Sequence, residues 1–239
     1  MRHIPNFITS LNLAAGFIAI IFAVNGELVT ASWLIVAAMI FDFLDGFSAR
    51  LLNAYSEVGK ELDSLADMVS FGAAPGIIIY QLLDDSLSLF GPGIVNFKGL
   101  EIMFILLIPA IMPVCAALRL AKFNVDSTQA TSFKGLPTPA NAIAVISFVI
   151  AGHYSNLAIF SLITGSPVIL IALTIVLSVL MVSRIPLLSL KLSDVKLKGN
   201  EGIYIMAVLI LVSFVIFGIS AATLIIPLYI VASLLSLIF

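Results

Sequence analysis

Four aspartates within one short stretch are the residues of this chain whose type and spacing could do chemistry. Asp42 precedes Asp45 by three residues, and Asp63 precedes Asp67 by four. On a helix, either spacing places both members of a pair on one face. If the two helices are neighbours joined by a short turn around Gly59, the four carboxylates converge, and bound cations must offset their repulsion. Carboxylate oxygens without nearby histidine or cysteine suit hard ions, so the pattern indicates Mg²⁺ or Mn²⁺.

Small and basic residues accompany the acidic pairs. Gly46 and Ala49 lie one turn beyond the first pair and leave the helix surface open to a bulky or charged ligand. Arg50 can offer a planar set of donors to phosphate oxygens. A single aspartate, Asp63 above all, could instead cap a helix end, because acidic residues favour helix N-termini. The combination of four aspartates with small residues at fixed offsets favours a site.

The composition indicates what kind of protein must position these acids. Of the 239 residues, 62% are hydrophobic and 10% are charged. The mean hydropathy is +1.22, and a soluble domain carries about 25% charged residues, so we expect one integral membrane domain over residues 1–239. The net charge of -2 argues against a nucleic-acid surface. The single cysteine, Cys115, excludes a disulfide framework and a thiolate metal site.

Runs of apolar residues predict an all-α fold, since about 20 such residues form a helix that spans a membrane. The first run continues to full spanning length without a small-residue cleavage site, so we expect a span there and not a cleaved signal. The predicted architecture is a polytopic helical bundle of about eight transmembrane helices. The predicted spans are residues 7–24, 29–44, 65–83, 102–120, 140–154, 167–182, 203–219 and 221–239.

The cations indicate how the bundle is oriented. Eight spans put both termini on one side, and loops rich in Lys and Arg stay in the cytoplasm. With the termini inside, Lys98 falls outside and the other ten Lys and Arg residues fall inside. We therefore expect both termini and the acidic cluster at the cytoplasmic face. The last two spans have no ionisable group in their interiors, so we expect a scaffold or an oligomer contact there. The apolar third to eighth spans are compatible with a homodimer and indicate no particular surface for it.

The acidic segment as a whole forms one motif of acidic, small and basic residues. It has eight specified positions over 26 residues: Asp42-x2-Asp45-Gly46-x2-Ala49-Arg50-x8-Gly59-x3-Asp63-x3-Asp67. This motif resembles the complete signature of the CDP-alcohol phosphotransferases. The resemblance implies a six-helix catalytic core, at about residues 4–200, followed by two extra apolar helices. It also implies two divalent metals and the displacement of CMP from a CDP-linked lipid by an alcohol.

The same resemblance implies a role for each motif residue. All four aspartates hold metal, Asp42 also binds the CDP-lipid, and Asp67 is the general base. The other residues expected to bind the CDP-lipid are small, polar or basic: Gly46, Ala49, Arg50, Gly59 and Asn6. Asn6 has an alternative reading, because an asparagine at this position can simply cap the first helix.

Three further segments narrow the choice of alcohol. Residues 4–17, 116–124 and 133–139 read IPNFITSLNLAAGF, AALRLAKFN and FKGLPTP, and they resemble the integral-membrane phosphatidylserine synthases of bacteria and archaea. The resemblance implies CDP-diacylglycerol and L-serine as substrates. Charge-assisted hydrogen bonds from cations beside the acidic site would hold the serine carboxylate, and an asparagine oxygen could take its ammonium group. The residues expected to bind serine are Arg119, Lys122, Lys134 and Asn124.

Two alternatives to serine transfer stay open at this point. Cytoplasmic Lys and Arg at helix ends are also ordinary topology determinants. The same cations would also bind the phosphate of a phosphorylated acceptor, so the chain could make phosphatidylglycerophosphate or phosphatidylinositol phosphate. A proton-coupled transporter also uses intramembrane carboxylates, but near the midplane and often between inverted repeats. Here the acids lie at the inner ends of adjacent helices and no internal repeat is visible, which favours the enzyme.

Overall fold

The computed structural model describes residues 3–89, 99–125, 133–188 and 201–235, and in these residues the chain is a bundle of helices. In chain order the helices are α1 His3–Val24, α2 Leu28–Leu51, α3 Glu57–Asp67, α4 Ala74–Leu89, α5 Gly99–Leu106, α6 Ile111–Val125, α7 Thr138–Tyr154, α8 Ala158–Thr164, α9 Pro167–Val182, α10 Glu201–Phe217 and α11 Ile225–Leu235. Within the described ranges, β structure consists of β1 Phe133–Lys134 paired antiparallel with β2 Pro186–Leu187. The predicted all-α fold is confirmed.

Several helices have the length and composition of membrane spans. The described residues contain five such stretches, or six if α8 and α9, bent by 76°, form one broken span. Helix α7 is apolar but shorter, with 17 residues. The predicted count of eight therefore requires three things: α8 and α9 must form one span, α7 must be counted, and the stretch Gly202–Leu235 must be divided. Gly218 has a φ of 56°, and α10 packs against α11, so the chain does change direction there.

The outer surface of the bundle is apolar. On α10, for example, the exposed fractions of the Leu211, Val215 and Ile216 side chains are 66%, 80% and 65%. So large an apolar surface belongs in lipid and not in water. The contact between α1 and α2 instead uses small residues, including the fully buried Ala19 and Ala31, which let helix backbones approach closely. The chain is an integral membrane protein.

The helices that carry the aspartates are longer than their apolar runs. We expected the second span to end at residue 44 and the third to begin at residue 65, but α2 continues to Leu51 and α3 begins at Glu57. The expected turn around Gly59 is also wrong. The chain turns at Asn53, which has a φ of 48°. Gly59 lies in the first turn of α3, because the Ser56 side chain accepts a hydrogen bond from its N–H at 3.0 Å and caps the helix.

Directly after Asp67 the chain forms a π-helix, Met68–Ala73, before it continues as α4. The wider turns of a π-helix change the register of the backbone hydrogen bonds, and such segments often occur at functional sites. The side-chain amide of Asn141 in α7 donates to the Phe71 carbonyl oxygen at 3.0 Å, and Asn141 is fully buried. A polar side chain from a distant helix thus supports the backbone next to Asp67.

Five of the cations that carry the predicted orientation lie outside the described residues, so the cytoplasmic placement of the termini and of the acidic cluster stays a prediction. They are Arg2, Lys98, Lys191, Lys196 and Lys198.

We predict that Gly16→Ala destabilises the protein, because the added methyl group would lie 2.7 Å from the Ser70 Cα atom in the π-helix. A backbone atom cannot move aside as a flexible side chain can, so the free energy of unfolding should fall by about 1–3 kcal/mol. The apparent melting temperature in detergent should fall. Gly152→Ala is the matched control, since its methyl group would meet Phe160 Cβ at an ordinary 3.7 Å. Equal melting of both variants and the parent would contradict the close α1 contact.

Candidate active site

Side chains from α2 and α3, which both pack against α1, bring three of the four aspartates together. Asp42, Asp63 and Asp67 each offer a carboxylate oxygen, and these oxygens lie within 4.8 Å of one another. Asp67 is the most buried of the three, with 8% of its surface exposed, and the other two are half-buried. The convergence expected from the helical spacing therefore holds for these three residues, which we call the acidic triad.

Asp45 lies next to the triad but is not part of it. It is 6% exposed, and its side chain lies beside Thr9 of α1. Its charge still acts on Asp42 and Asp63. The expected convergence of four carboxylates is thus a close group of three, with the fourth directed toward α1.

The donor set and its unmet hydrogen bonds fit a divalent cation. Among the described residues, Asp63 Oδ1 and Asp45 Oδ2 are buried without a hydrogen-bond partner. Such oxygens lose their hydration without compensation, and the nearby carboxylates also repel one another. A bound cation would remove both penalties. Because every candidate ligand is a carboxylate oxygen, the site suits hard ions such as Mg²⁺ or Mn²⁺.

Helix α1 also contacts Asp67, through a polar side chain. The Asn12 side-chain amide donates to Asp67 Oδ1 at 3.4 Å, and Asn12 is fully buried. The Ser70 hydroxyl in turn donates to the Asn12 carbonyl oxygen at 3.0 Å. Sequence reasoning gave Asn12 no role. Its one signal was the spacing of Thr9 and Asn12, which puts two polar side chains on one face of an apolar helix.

The residues expected to bind the CDP-lipid lie on α1, α2 and α3 around the acidic residues. The surface above Gly46 is open, since a Cβ atom there would meet only the Arg50 Nη1 atom at 3.7 Å, and Arg50 is exposed. Gly59 packs against Asn6, because a Cβ atom at this glycine would lie 2.8 Å from Asn6 Oδ1. Asn6 lies inside α1, which begins at His3, so the capping alternative does not describe it.

A cavity of about 720 Å³ lies between α6, the C-terminal end of α9 and the strand β1. Four cations line it, and we call it the cation cavity: Arg119, Lys122, Lys134 and Arg184. Three of them are expected serine ligands. Arg184 is an addition, because sequence reasoning used it only to orient the bundle. No local pattern pointed to it, since the other three cations of the cavity come from distant parts of the chain.

Asn124, the fourth expected serine ligand, does not line the cation cavity. Its side-chain amide donates to the Ser64 hydroxyl at 2.9 Å, and its main-chain oxygen accepts from Lys60 Nζ at 3.0 Å. These contacts join α6 to α3. In this structure Asn124 therefore ties together the two helices that carry Arg119 and Asp67.

Arg119 connects the acidic triad to the cation cavity. None of the aspartates lines the cavity, but Arg119 does, and its charge interacts with Asp67. Arg119 is only 8% exposed. Its Nε atom is buried without a hydrogen-bond partner among the described residues. A buried guanidinium with an unused donor is suited to an anionic ligand.

A tight backbone contact holds two of the cavity cations at one edge. Gly135, with a φ of 79°, donates its N–H to the Ile185 oxygen at 2.9 Å. A Cβ atom there would lie 2.6 Å from the Met181 oxygen, so only glycine fits this approach. The contact keeps Lys134, just before Gly135, close to Arg184, just before Ile185.

Comparison with known proteins agrees with this geometry. The family model for CDP-alcohol phosphatidyltransferases matches residues 2–237. A CDP-diacylglycerol–serine O-phosphatidyltransferase of Helicobacter pylori is 30% identical over 237 residues, which cover 98% of this chain and 91% of that protein. One of Bacillus subtilis is 33% identical over 187 residues, 77% of this chain and 89% of that protein.

An archaeal relative matches a shorter part of the chain. An archaetidylserine synthase of Methanothermobacter thermautotrophicus is 34% identical over 157 residues, 65% of this chain. The match covers 61% of that protein, which is less than two thirds of its length. Since the family model extends over nearly the whole sequence, the chain belongs to the CDP-alcohol phosphatidyltransferase family.

Proposed function

We propose that this protein transfers a phosphatidyl group from CDP-diacylglycerol to L-serine and releases CMP. The proposal rests on the buried Arg119, which lines a cavity of cations and interacts electrostatically with Asp67 of the acidic triad. The printed names of the bacterial relatives support serine as the acceptor. The reaction would take place at the cytoplasmic face, with both termini on that side and the catalytic core at about residues 4–200.

The acidic residues would bind the metal and the CDP-lipid. The triad and Asp45 would hold two divalent ions, Mg²⁺ or Mn²⁺, which when bound neutralise charge on diphosphate oxygens. Asp42 would also contact the CDP-lipid, and the open surface at Gly46 would admit its polar part. The other residues proposed to bind the CDP-lipid lie on α1, α2 and α3: Asn6, Ala49, Arg50 and Gly59.

Asp67 would move the proton. The serine hydroxyl oxygen forms a bond to the phosphorus that carries the lipid, while the bond from that phosphorus to the CMP oxygen breaks. The hydroxyl proton passes to Asp67, and CMP leaves with the bonding electron pair. Because Asn12 donates to Asp67 Oδ1, the other carboxylate oxygen is the one suited to accept this proton.

The cation cavity would hold the amino acid. Arg119, Lys122 and Lys134 offer positive charge to the serine carboxylate, and Arg119 does so from a buried position, where such contacts are strongest. Asn124 lies outside the lining of the cavity, and its amide donates to Ser64, so a contact with the ammonium group would have to use its side-chain oxygen at the edge of this site.

An acceptor panel tests the proposal. Purified protein is given CDP-diacylglycerol or its ether-linked counterpart, with serine, glycerol phosphate, inositol or inositol phosphate, and CMP release is measured. Of the four acceptors, we expect only serine to give CMP release. Release with glycerol phosphate or inositol phosphate instead would assign the cation cavity to a phosphorylated acceptor. Uptake of solute into liposomes without any CMP release would support a transporter.

We predict that Mg²⁺ or Mn²⁺ raises the apparent melting temperature of the parent protein, because a ligand that binds only the folded state stabilises it. Asp63→Asn should remove this rise. In excess chelator the same variant should melt above the parent, since one of the repelling carboxylates is gone. Asp85→Asn, an exposed residue on α4, is the matched control and should respond as the parent does. A full metal response in Asp63→Asn would contradict the proposed metal site.

We predict that Asp67→Asn abolishes transfer to serine while CDP-diacylglycerol still binds. Asparagine keeps the shape and one acceptor oxygen but takes no proton at neutral pH, so the rate should fall by about 10²–10⁴. A titration of the variant with Mg²⁺ or Mn²⁺ distinguishes the two roles of the residue. A flat, low rate supports the base, whereas recovery at high metal would make Asp67 a metal ligand only.

We predict that Arg119→Ala raises the KM for serine by about 10-fold or more, the effect of losing a hydrogen bond to a charged group. The KM for CDP-diacylglycerol should change much less, and Arg119→Lys should recover part of the loss because it keeps the charge. A higher KM for the lipid with an unchanged KM for serine would move Arg119 to the CDP-lipid subsite.

A further inference from the structure

The C-terminal helix α11 directs two buried polar side chains at one residue of a neighbouring segment. Tyr229 and Ser233 are 4% and 1% exposed. The Tyr229 hydroxyl donates to the Leu188 carbonyl oxygen at 3.0 Å. The Ser233 hydroxyl accepts from the Leu188 N–H at 3.1 Å and donates to the Tyr229 carbonyl oxygen at 2.6 Å. Both backbone polar groups of Leu188 are therefore bonded to α11.

Leu188 ends the segment that shapes the cation cavity. It directly follows β2, which pairs with β1, and β1 contains the cavity residue Lys134. Arg184, another cavity residue, lies four positions before Leu188. Tyr229 also lies close enough to Arg119 for the two side chains to interact electrostatically. Helix α11 thus contacts the segment that supports two of the four cavity cations, Lys134 and Arg184, and its Tyr229 lies near a third, Arg119.

This arrangement differs from the scaffold role expected for the last two spans. Polar side chains in an apolar helix are costly in lipid unless they are satisfied, so a scaffold helix has little use for them. Ser213 on α10 shows the ordinary case, since its hydroxyl donates to the Leu209 carbonyl oxygen one turn earlier in the same helix. Ser233 makes the same local bond but in addition accepts from a different segment.

We propose that Tyr229 and Ser233 are positioning residues for the acceptor. They hold the segment 185–188 so that Lys134 and Arg184 face the same cavity as Arg119, and the helix after the expected catalytic core thereby tunes affinity for serine. This inference rests on the proposed serine transfer.

Kinetics of single-atom variants test the inference. Tyr229→Phe and Ser233→Ala each remove one hydroxyl group. Tyr154→Phe removes the same group from an exposed position, and Ser213→Ala removes it from a half-buried one that bonds within its own helix. We expect Tyr229→Phe and Ser233→Ala to raise the KM for serine roughly threefold to tenfold, as the loss of one hydrogen bond allows. The kcat and the KM for CDP-diacylglycerol should stay within about twofold, and the controls should match the parent.

Hydrogen–deuterium exchange gives a readout that does not depend on activity. The Leu188 amide should exchange faster in Ser233→Ala than in the parent or in Ser213→Ala, because its acceptor is gone. An unchanged KM for serine, or equal losses in kcat and both KM values, would overturn the positioning role. A parent protein that releases no CMP with serine would instead refute the proposed function, so the two failures are distinguishable.

Discussion

The repulsion among the carboxylates of Asp42, Asp63 and Asp67 is the constraint on which the rest of the structure depends. Three oxygens within 4.8 Å of one another, on buried or half-buried side chains, raise the free energy of the folded chain unless cations or protons neutralise them. The protein must therefore hold α2 and α3 together against this force. We expect a divalent cation bound among these carboxylates to offset their repulsion.

Helix α1 supplies much of the opposing structure. It packs along α2 through buried alanines, approaches the π-helix so closely that Gly16 has no room for a side chain, and donates to Asp67 through Asn12. The π-helix is held from the other side by Asn141 of α7. The triad is thus fixed by polar contacts from two helices that carry none of its members. Such supporting contacts keep a site in its working geometry.

The sequence predicts the local part of this site and misses the long-range part. Helical spacing is enough to place Asp63 and Asp67 on one face, and hydropathy is enough to identify a membrane bundle. The partner of Asp67, however, is 55 residues away, and Arg184 meets the other cavity cations only through the fold. Gly59 was misplaced because the Ser56 cap, which draws it into α3, was not recognised as a helix start.

The most direct test of the acidic triad as a divalent-metal site is anomalous scattering from crystals of the protein grown with Mn²⁺. We expect anomalous density within coordination distance of carboxylate oxygens from Asp42, Asp63 and Asp67. Density elsewhere in the protein, with none at the triad under saturating Mn²⁺, would contradict the account.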